Sequence, residues 1–347
     1  MADRDEVCVL IPTYNEAATI GDVVESFVED GFEHVLVIDG DSDDGTRELA
    51  AEAGARVVEQ SGTGEGSGKG QAVREAIERH VDQPYVLMLD GDATYRPEEA
   101  DRLLEPLLRG EAEHVIGNRF ADMESGAMTR LNRIGNSIIN SAFSIIHGRY
   151  LSDILSGYRA FTLASVQRLN LTADGFGIET EMSVECVKHG ITTTVVPITY
   201  LARPDDSETN LHPFRDGAVI ILTLYRMAKT NNPLFYFGSV GVASLFTGLC
   251  IAIYVGYEWF VVGVSHEVLA VAAASGLLFG VQLLMFGVLS DMIVALNREQ
   301  TRQLGNIAQQ LSDDTARPEV GTDGADDEHR DRSAGDVNSE PASSRSQ

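Results

Sequence analysis

The chain is short of positive charge. Its 347 residues hold 26 Lys and Arg against 53 Asp and Glu, a formal charge of −27. Only Lys69, Lys188 and Lys229 are lysines; the other cations are arginine. That shortage argues against general nucleic-acid binding, which draws on clustered cations. The acidic excess extends over residues 1–120 as well as the C-terminal end, so one acidic tail does not explain it. Such a surface suits concentrated salt, where screening over a few ångströms blunts self-repulsion, and a halophilic cytoplasm is the expected setting. Cysteine is scarce too. Cys8, Cys186 and Cys250 stand isolated, without metal-ligand spacing, which leaves buried thiols in a reducing compartment. The N-terminal "MADRDEVC" lacks a basic segment followed by an apolar one, so no cleaved signal is expected.

Charge vanishes altogether from two stretches, residues 234–257 and 268–290. At about 1.5 Å per helical residue, each is long enough for a hydrocarbon core of about 30 Å. Two such runs around a short connector, "EWFVVGVSHE", predict a transmembrane hairpin over 234–257 and 268–296. The connector has no Lys or Arg, whereas Arg226, Lys229, Arg298 and Arg302 flank the pair, so both ends are expected in the cytoplasm. Residues 212–233 mix apolar Ile220, Ile221, Leu224 and Tyr225 with Arg215, Arg226 and Lys229, as an interfacial helix or a domain-core helix would. From 300 to 347 the chain turns polar and acidic and reads as a disordered cytoplasmic tail.

Residues 1–211 read as one α/β domain. "VCVLIP", "HVLVIDG", "ARVVEQ", "YVLMLDG" and "HVIGNRF" are short apolar runs ending in turn or acidic residues, separated by helical stretches. The rhythm predicts a mostly parallel, Rossmann-like sheet with helices on both faces. Ligands bind such sheets beyond the carboxyl ends of the strands. There stand "PTYNE" (Pro12–Glu16), "DGDSDDGT" (Asp39–Thr46) and "DGD" (Asp90–Asp92). Asp90 and Asp92 can offer carboxylate oxygens to Mg²⁺ or Mn²⁺, a cation that takes further ligands from water and substrate phosphates. That implies a diphosphate-bearing donor. The glycine-rich "GTGEGSGKGQ" is no P-loop, because Thr63 and Gly70 occupy positions that pattern reserves for Gly and for Ser or Thr.

"PTYNE", "IDGDSDDGT", "GKGQA", "LDGD", "GNRF", "DILSGYRAF" and "GFGIETEM" follow one another as in family 2 glycosyltransferases of the GT-A fold. The chain resembles the dolichyl-phosphate (polyprenyl-phosphate) hexosyltransferases over about residues 6–230, and the apolar hairpin extends the likeness. By resemblance, Pro12, Tyr14 and Glu16 would contact the nucleoside, with Asp39 and Asp41 nearby. Asp90 and Gly91 would line ribose and diphosphate, Lys69 the donor wall, and Asp92 the metal. Arg119 would face the phosphates, while Ser156, Arg159 and Glu181 would border the donor sugar and acceptor. Thr94 stands where some relatives carry a metal-site glutamine, Gly40 where many carry an acid. Arg203 and Ser207 match a basic stretch near the domain's end, offset by one residue, with Glu208 in place of its lysine.

The implied reaction is inverting hexose transfer from a nucleotide sugar, of UDP-glucose or GDP-mannose type, to dolichyl phosphate. Gly40 and Thr94 depart from the GDP-mannose pattern and favour UDP-glucose slightly. Asp92, Arg119 and Arg203 are the expected catalytic groups, and archaeal protein N-glycosylation, as of an S-layer, is the expected setting. "MTRLNRIGNSIINSAFSIIHGRY" would either border the entry of the lipid phosphate or pack on the sheet. The alternatives are a membrane-anchored glycosyltransferase directed at a hydroxyl, a non-catalytic sugar-nucleotide-binding scaffold, and a nucleotidyltransferase, whose N-terminal signature is missing.

Overall fold

The computed structural model describes residues 4–61, 68–175, 177–204 and 213–315. In chain order the main elements are β1 (Val7–Thr13), α1 (Ile20–Glu29), β2 (His34–Asp39), α2 (Thr46–Glu52), β3 (Arg56–Glu59), α3 (Lys69–Arg79) and β4 (Tyr85–Met88). They continue as α4 (Ala100–Leu108), β5 (His114–Met123), α5 (Arg130–His147), β6 (Arg159–Thr162), α6 (Leu163–Val166), α7 (Ile178–His189) and β7 (Thr193–Tyr200). Three helices close the described chain: α8 (Pro213–Asn231), α9 (Pro233–Tyr257) and α10 (Glu267–Thr315).

The seven strands form one sheet in the order β3-β2-β1-β4-β6-β5-β7. All neighbours are parallel except β6, which runs antiparallel between β4 and β5. The "HVIGNRF" strand therefore lies one place further from β4 than the chain order suggests. "RAFT", read in the sequence only as part of a motif, fills the gap. Burial on both faces explains the unbroken apolar runs. Val7, Val9 and Ile11 of β1 point with Val35 and Val37 toward α1 and α4. Cys8 and Leu10 point the other way, with Leu36, Ile38, Val86 and Met88, toward Val73 and Ile77 of α3 and Met182 of α7. Burial pushes the thiols of Cys8 and Cys186 up to about 12, so both are inert.

A third cluster lies at the other end of the sheet. Ile116 of β5, Phe143 and Ile146 of α5, and Leu224 and Ala228 of α8 are buried together, with Phe235 and Tyr236 of α9 packed against them. The side-chain amide of Asn232 donates to the Ile146 carbonyl at 2.5 Å, and its oxygen accepts from Phe235 N–H at 3.1 Å as the α9 N-cap. The α5 helix is two-sided: Ile139, Phe143 and Ile146 face the core, whereas Leu131, Ile134, Ile138 and Ile145 are exposed. The expectation that this stretch packs on the sheet thus has a counterpart in its buried face.

Residues Pro233–Val262 and Glu267–Asn297 are long and apolar enough to cross a membrane, and little of either is buried. They pack through small residues, as helices do in lipid. Ser244 donates to the Gly276 carbonyl at 2.8 Å, and a Cβ on Gly280 would sit 2.7 Å from the Gly241 carbonyl. Among the described residues, α10 continues to Thr315 instead of ending at the expected tail boundary near 300. Leu304, Ile307 and Leu311 keep a helical spacing, and extending a formed helix needs no new nucleus. The chain divides into the units Met1–Ala295 and Leu296–Gln347; residues 316–347 of the expected tail lie outside the described residues.

Substitution of alanine separates packing from propensity. Gly256 meets nothing within 4 Å, so Gly256→Ala should stabilise by up to about 1 kcal/mol through helix propensity. Gly280→Ala should instead destabilise by about 1–3 kcal/mol, because a carbonyl of α9 occupies the space. Melting temperatures of the full chain in detergent should move in opposite directions.

Candidate active site

The strands β2, β1 and β4 are neighbours, so the loops after them meet at one sheet edge. Backbone N–H groups of the β1 loop stitch it to the β2 loop. Asn15 donates to Ser42 Oγ at 2.8 Å, Glu16 to Thr46 Oγ1 at 2.9 Å, and Ala17 to Asp44 Oδ2 at 3.0 Å. From the other side, Thr19 Oγ1 donates to the Gly91 carbonyl at 2.7 Å. Among the described residues, the non-glycine positions with positive φ are Asn15, Asp41 and Ala93, one in each of these three loops. Such backbone is costly and persists where surrounding contacts over-determine it, commonly at functional sites.

The carboxylates of Asp90 and Asp92 each carry a cation supplied by the chain. Lys69 bridges Asp90 and Glu179. Burial alone would lower the lysine's pKa, but the two carboxylates raise it above its ordinary value, so it stays an ammonium. Asp92 Oδ1 accepts from Thr94 Oγ1 at 2.6 Å and from Thr94 N–H at 3.2 Å. Its Oδ2 accepts from the Arg203 guanidinium at 2.5 Å, and Glu16 lies 3.9 Å from the same nitrogen. Half-buried Arg203 is likewise held upward: desolvation works against its charge, and Asp92 and Glu16 outweigh it.

The glycines of the lysine loop answer to protein, not to an open pocket. A Cβ on Gly70 would lie 2.2 Å from the Ala173 carbonyl. That 172–173 turn is held by Glu181, which accepts from Thr172 N–H at 2.9 Å, Thr172 Oγ1 at 2.7 Å and Ala173 N–H at 2.7 Å. Glu181 is buried and braces the loop that seats Lys69; the acid turned toward the site from this helix is Glu179. The likeness of "GFGIETEM" did not distinguish them. Residues 62–67 of the glycine-rich stretch lie outside the described residues, as does Ser207.

The other expected residues divide between site and scaffold. Pro12 and Gly91 are buried in the wall, Tyr14 is half-exposed beside it, and Asp41 is exposed at the rim. Asp39 is fully enclosed, accepting from Ser42 N–H at 2.8 Å and Ser42 Oγ at 2.6 Å, and so shapes its turn. Arg159 is fully buried, donating to the carbonyls of Ser156 at 2.8 Å and Ile154 at 2.5 Å and to Ser183 Oγ at 3.0 Å, and so ties β6 to α7. Among the described residues, the buried Ser156 Oγ has no hydrogen-bond partner. Next to it, Gly157 passes so close to Asp90 that a Cβ there would lie 2.4 Å from Oδ2.

Arg119 forms a two-pronged pair with Asp153, Nε to Oδ2 at 2.7 Å and a second guanidinium nitrogen to Oδ1 at 2.8 Å. Burial disfavours its charge, but Asp153 holds its pKa well above the ordinary value. The guanidinium also lies over the Tyr200 ring, 5.4 Å from its centroid. The sequence signal for Asp153 was present as the first letter of "DILSGYRAF", and a buried arginine requires such a partner. Among the described residues no three His, Cys, Asp or Glu side chains gather as a metal cage. Asp92 and Asp90 nonetheless fit a hard cation that takes other ligands from a diphosphate, since positive charge already sits on both.

The family model described as "Glycosyl transferase family 2" matches residues 8–166. "Glycosyltransferase AglJ" of Haloferax volcanii is 65% identical over 304 residues, covering 88% of this chain and 99% of that protein. "Dolichyl-phosphate hexose transferase" of the same organism is 34% identical over 218 residues, covering 62% of this chain and 91% of the relative. In fold, the chain is similar to glucosyl-3-phosphoglycerate synthase from Mycobacterium tuberculosis, solved with Mg²⁺ and UDP. That likeness has a TM-score of 0.52 at 24% identity and covers 64% of this chain and 79% of the other.

The Arg119–Asp153 pair can be tested without any substrate. Asp153→Ala strands a buried guanidinium and should cost about 3–5 kcal/mol, lowering the melting temperature of the full chain. The double change Arg119→Met with Asp153→Leu should recover most of that loss.

Proposed function

The chain belongs to glycosyl transferase family 2, and on that premise we propose that it transfers a hexose from a nucleotide sugar to dolichyl phosphate. The setting is the cytoplasmic face of the cell membrane, with the hairpin crossing the bilayer twice and both ends inside. One observation carries the reading. The sheet whose β4 leads into Asp90 and Asp92 shares a buried cluster with α8 and the start of α9, so the start of the apolar hairpin packs directly on the domain that carries the site. A long-chain phosphate stays at the bilayer surface, and an enzyme using it must hold its site there. The exposed apolar side chains of α5, flanked by exposed Arg130, Arg133 and Arg149, suit the same surface. The relative named as a dolichyl-phosphate hexose transferase supports this acceptor.

The acceptor simplifies the chemistry. A phosphate monoester has a second pKa of about 6 and is mostly dianionic near neutrality, so it needs no general base. Its oxygen attacks the anomeric carbon opposite the leaving group. The bond from that carbon to the diphosphate breaks, and nucleoside diphosphate departs with inversion. Asp92, with Asp90 and Thr94 beside it, would hold Mg²⁺ or Mn²⁺, which when bound neutralises the diphosphate. The chain's own task is to bring two anions together. Arg203 supplies the mobile positive charge, whereas Arg119, locked to Asp153, contributes a fixed field. Lys69 fixes Asp90, and the β1 loop with Tyr14 and Glu16 offers a wall for the nucleoside. Glucose from UDP-glucose is the favoured donor, and the product is the first lipid-linked sugar of protein N-glycosylation, as for an S-layer.

Membranes containing the full chain, given a panel of labelled sugar nucleotides, should make a lipid-linked hexose from dolichyl phosphate and none from free dolichol, by mass spectrometry of the lipid fraction. Equal use of the free alcohol would turn the reading toward a hydroxyl-directed enzyme. Asp92→Ala should lose more than about ten-fold in rate, or about 1.4 kcal/mol in barrier.

The pH profile follows from the direction of the shifts. Lys69 and Arg203 are both raised, so each keeps its charge until the pH exceeds its ordinary value. Transfer should therefore fall only on the acid side, below about pH 6 as the acceptor takes a proton, and stay level from about 7 to 9. A basic limb near 8 would indicate a general base.

A further inference from the structure

The two cations on the acidic pair are not equivalent. Lys69 is held in place: it is the first residue of α3, it is shared by Asp90 and Glu179, and the next residue, Gly70, lies so near the Ala173 carbonyl that a Cβ there would not fit. It cannot leave without stranding the buried Glu179 carboxylate and freeing the half-buried Asp90. Arg203 is placed differently. The segment after β7 is tethered by Leu201 N–H to the Thr94 carbonyl at 3.0 Å and by Ala202 N–H to Glu124 at 2.9 Å. Arg203 is the next residue, half-buried, with a second carboxylate, Glu16, 3.9 Å away to receive it. Leaving Asp92 would therefore keep the guanidinium beside another acid.

Asp92 is constrained as well. Thr94 occupies Oδ1 through both its hydroxyl and its N–H, which leaves Oδ2 as the oxygen presented to the site, and Arg203 sits on it at 2.5 Å. One carboxylate cannot balance a divalent cation and a guanidinium on the same oxygen, because the two positive charges repel at that range.

We propose that Arg203 is an internal competitor for the metal site: it neutralises Asp92 before the donor binds and is expelled from Oδ2 when the cation of the metal–donor complex arrives. Resting on the function proposed above, this sets an order of binding. Before donor loading, the guanidinium is committed to Asp92. After loading, it is released at the site's edge as a counter-charge for the incoming phosphate. Premature capture of the acceptor is thereby disfavoured, and Lys69 keeps Asp90 in place throughout.

The test is a metal titration, read without turnover. Mn²⁺ binding to the full chain in detergent, with UDP present, is followed by the electron paramagnetic resonance of free Mn²⁺. Arg203→Gln should bind Mn²⁺ with UDP about five-fold more tightly or better, the gain expected when a half-exposed competing pair is removed. Arg203→Lys, which keeps a competing charge, should stay near wild type. Unchanged or weaker binding in Arg203→Gln overturns the proposal. Should that variant not fold, by its melting curve, the wild type gives a second readout. The side-chain ¹⁵N–H signal absent from Arg203→Lys should shift when Mg²⁺ and UDP are added together, and an unmoved signal overturns the proposal equally. Failure here is distinguishable from failure of the proposed function: tighter Mn²⁺ binding without transfer to dolichyl phosphate sinks only the latter, and transfer without tightening sinks only the former.

Discussion

A buried ammonium between two carboxylates organises this site. Lys69 ties the end of β4, through Asp90, to α7, through Glu179. Glu179 does not tolerate enclosure without it, and the lysine keeps its charge under enclosure because both acids are present. The surrounding devices serve that contact. Gly70 lets α3 begin against the Ala173 carbonyl, Glu181 holds the 172–173 turn that provides the carbonyl, and Gly157 leaves room for the Asp90 carboxylate. Four separated pieces of sequence therefore converge on one charge, which lets Asp92, two residues further on, be presented at a defined angle by Thr94.

Much of this was legible in the sequence because it depends on local chemistry. The five apolar runs became strands, and the acidic and turn residues following them reached one edge, as parallel strands require. The two uncharged runs became the two long apolar helices. Long-range pairing was less legible. The strand "RAFT" has only four residues and shows no period, so its antiparallel insertion between β4 and β5 followed from nothing local. The strand Thr193–Tyr200 went unread for a related reason: its pattern is set by an edge position beside β5.

Among the site residues, position in a motif does not separate side chains that face the sheet edge from those tied into the scaffold. Arg159 and Glu181 sit within motifs of the expected site, yet both spend their hydrogen bonds on scaffold carbonyls and N–H groups. Glu179 and Asp153 matter because Lys69 and Arg119 are buried, and burial is a property of the folded chain. A sequence shows that a cation exists; only the fold shows which acid it must find.

The chain's charge sharpens the point. A protein of net charge −27 repels an anionic sugar nucleotide and an anionic lipid alike at long range. In salt near 1 M, however, the field of a surface carboxylate fades over about 3 Å, so the acidic coat ceases to act on approaching ligands. Contact pairs survive because no ions fit between the partners, and those shielded by protein survive best. Under such conditions electrostatic selection collapses onto direct contacts at the sheet edge: Lys69 on Asp90, Arg119 on Asp153, and Arg203 on Asp92. The Arg119–Asp153 pair is buried, Lys69 is shared by a second acid, Glu179, and Arg203 has a second carboxylate, Glu16, beside it. A scarcity of cations that would be a handicap in dilute buffer would then favour discrimination in brine, since an exchangeable Arg203–Asp92 pair, as proposed above, would stand out against a screened surface.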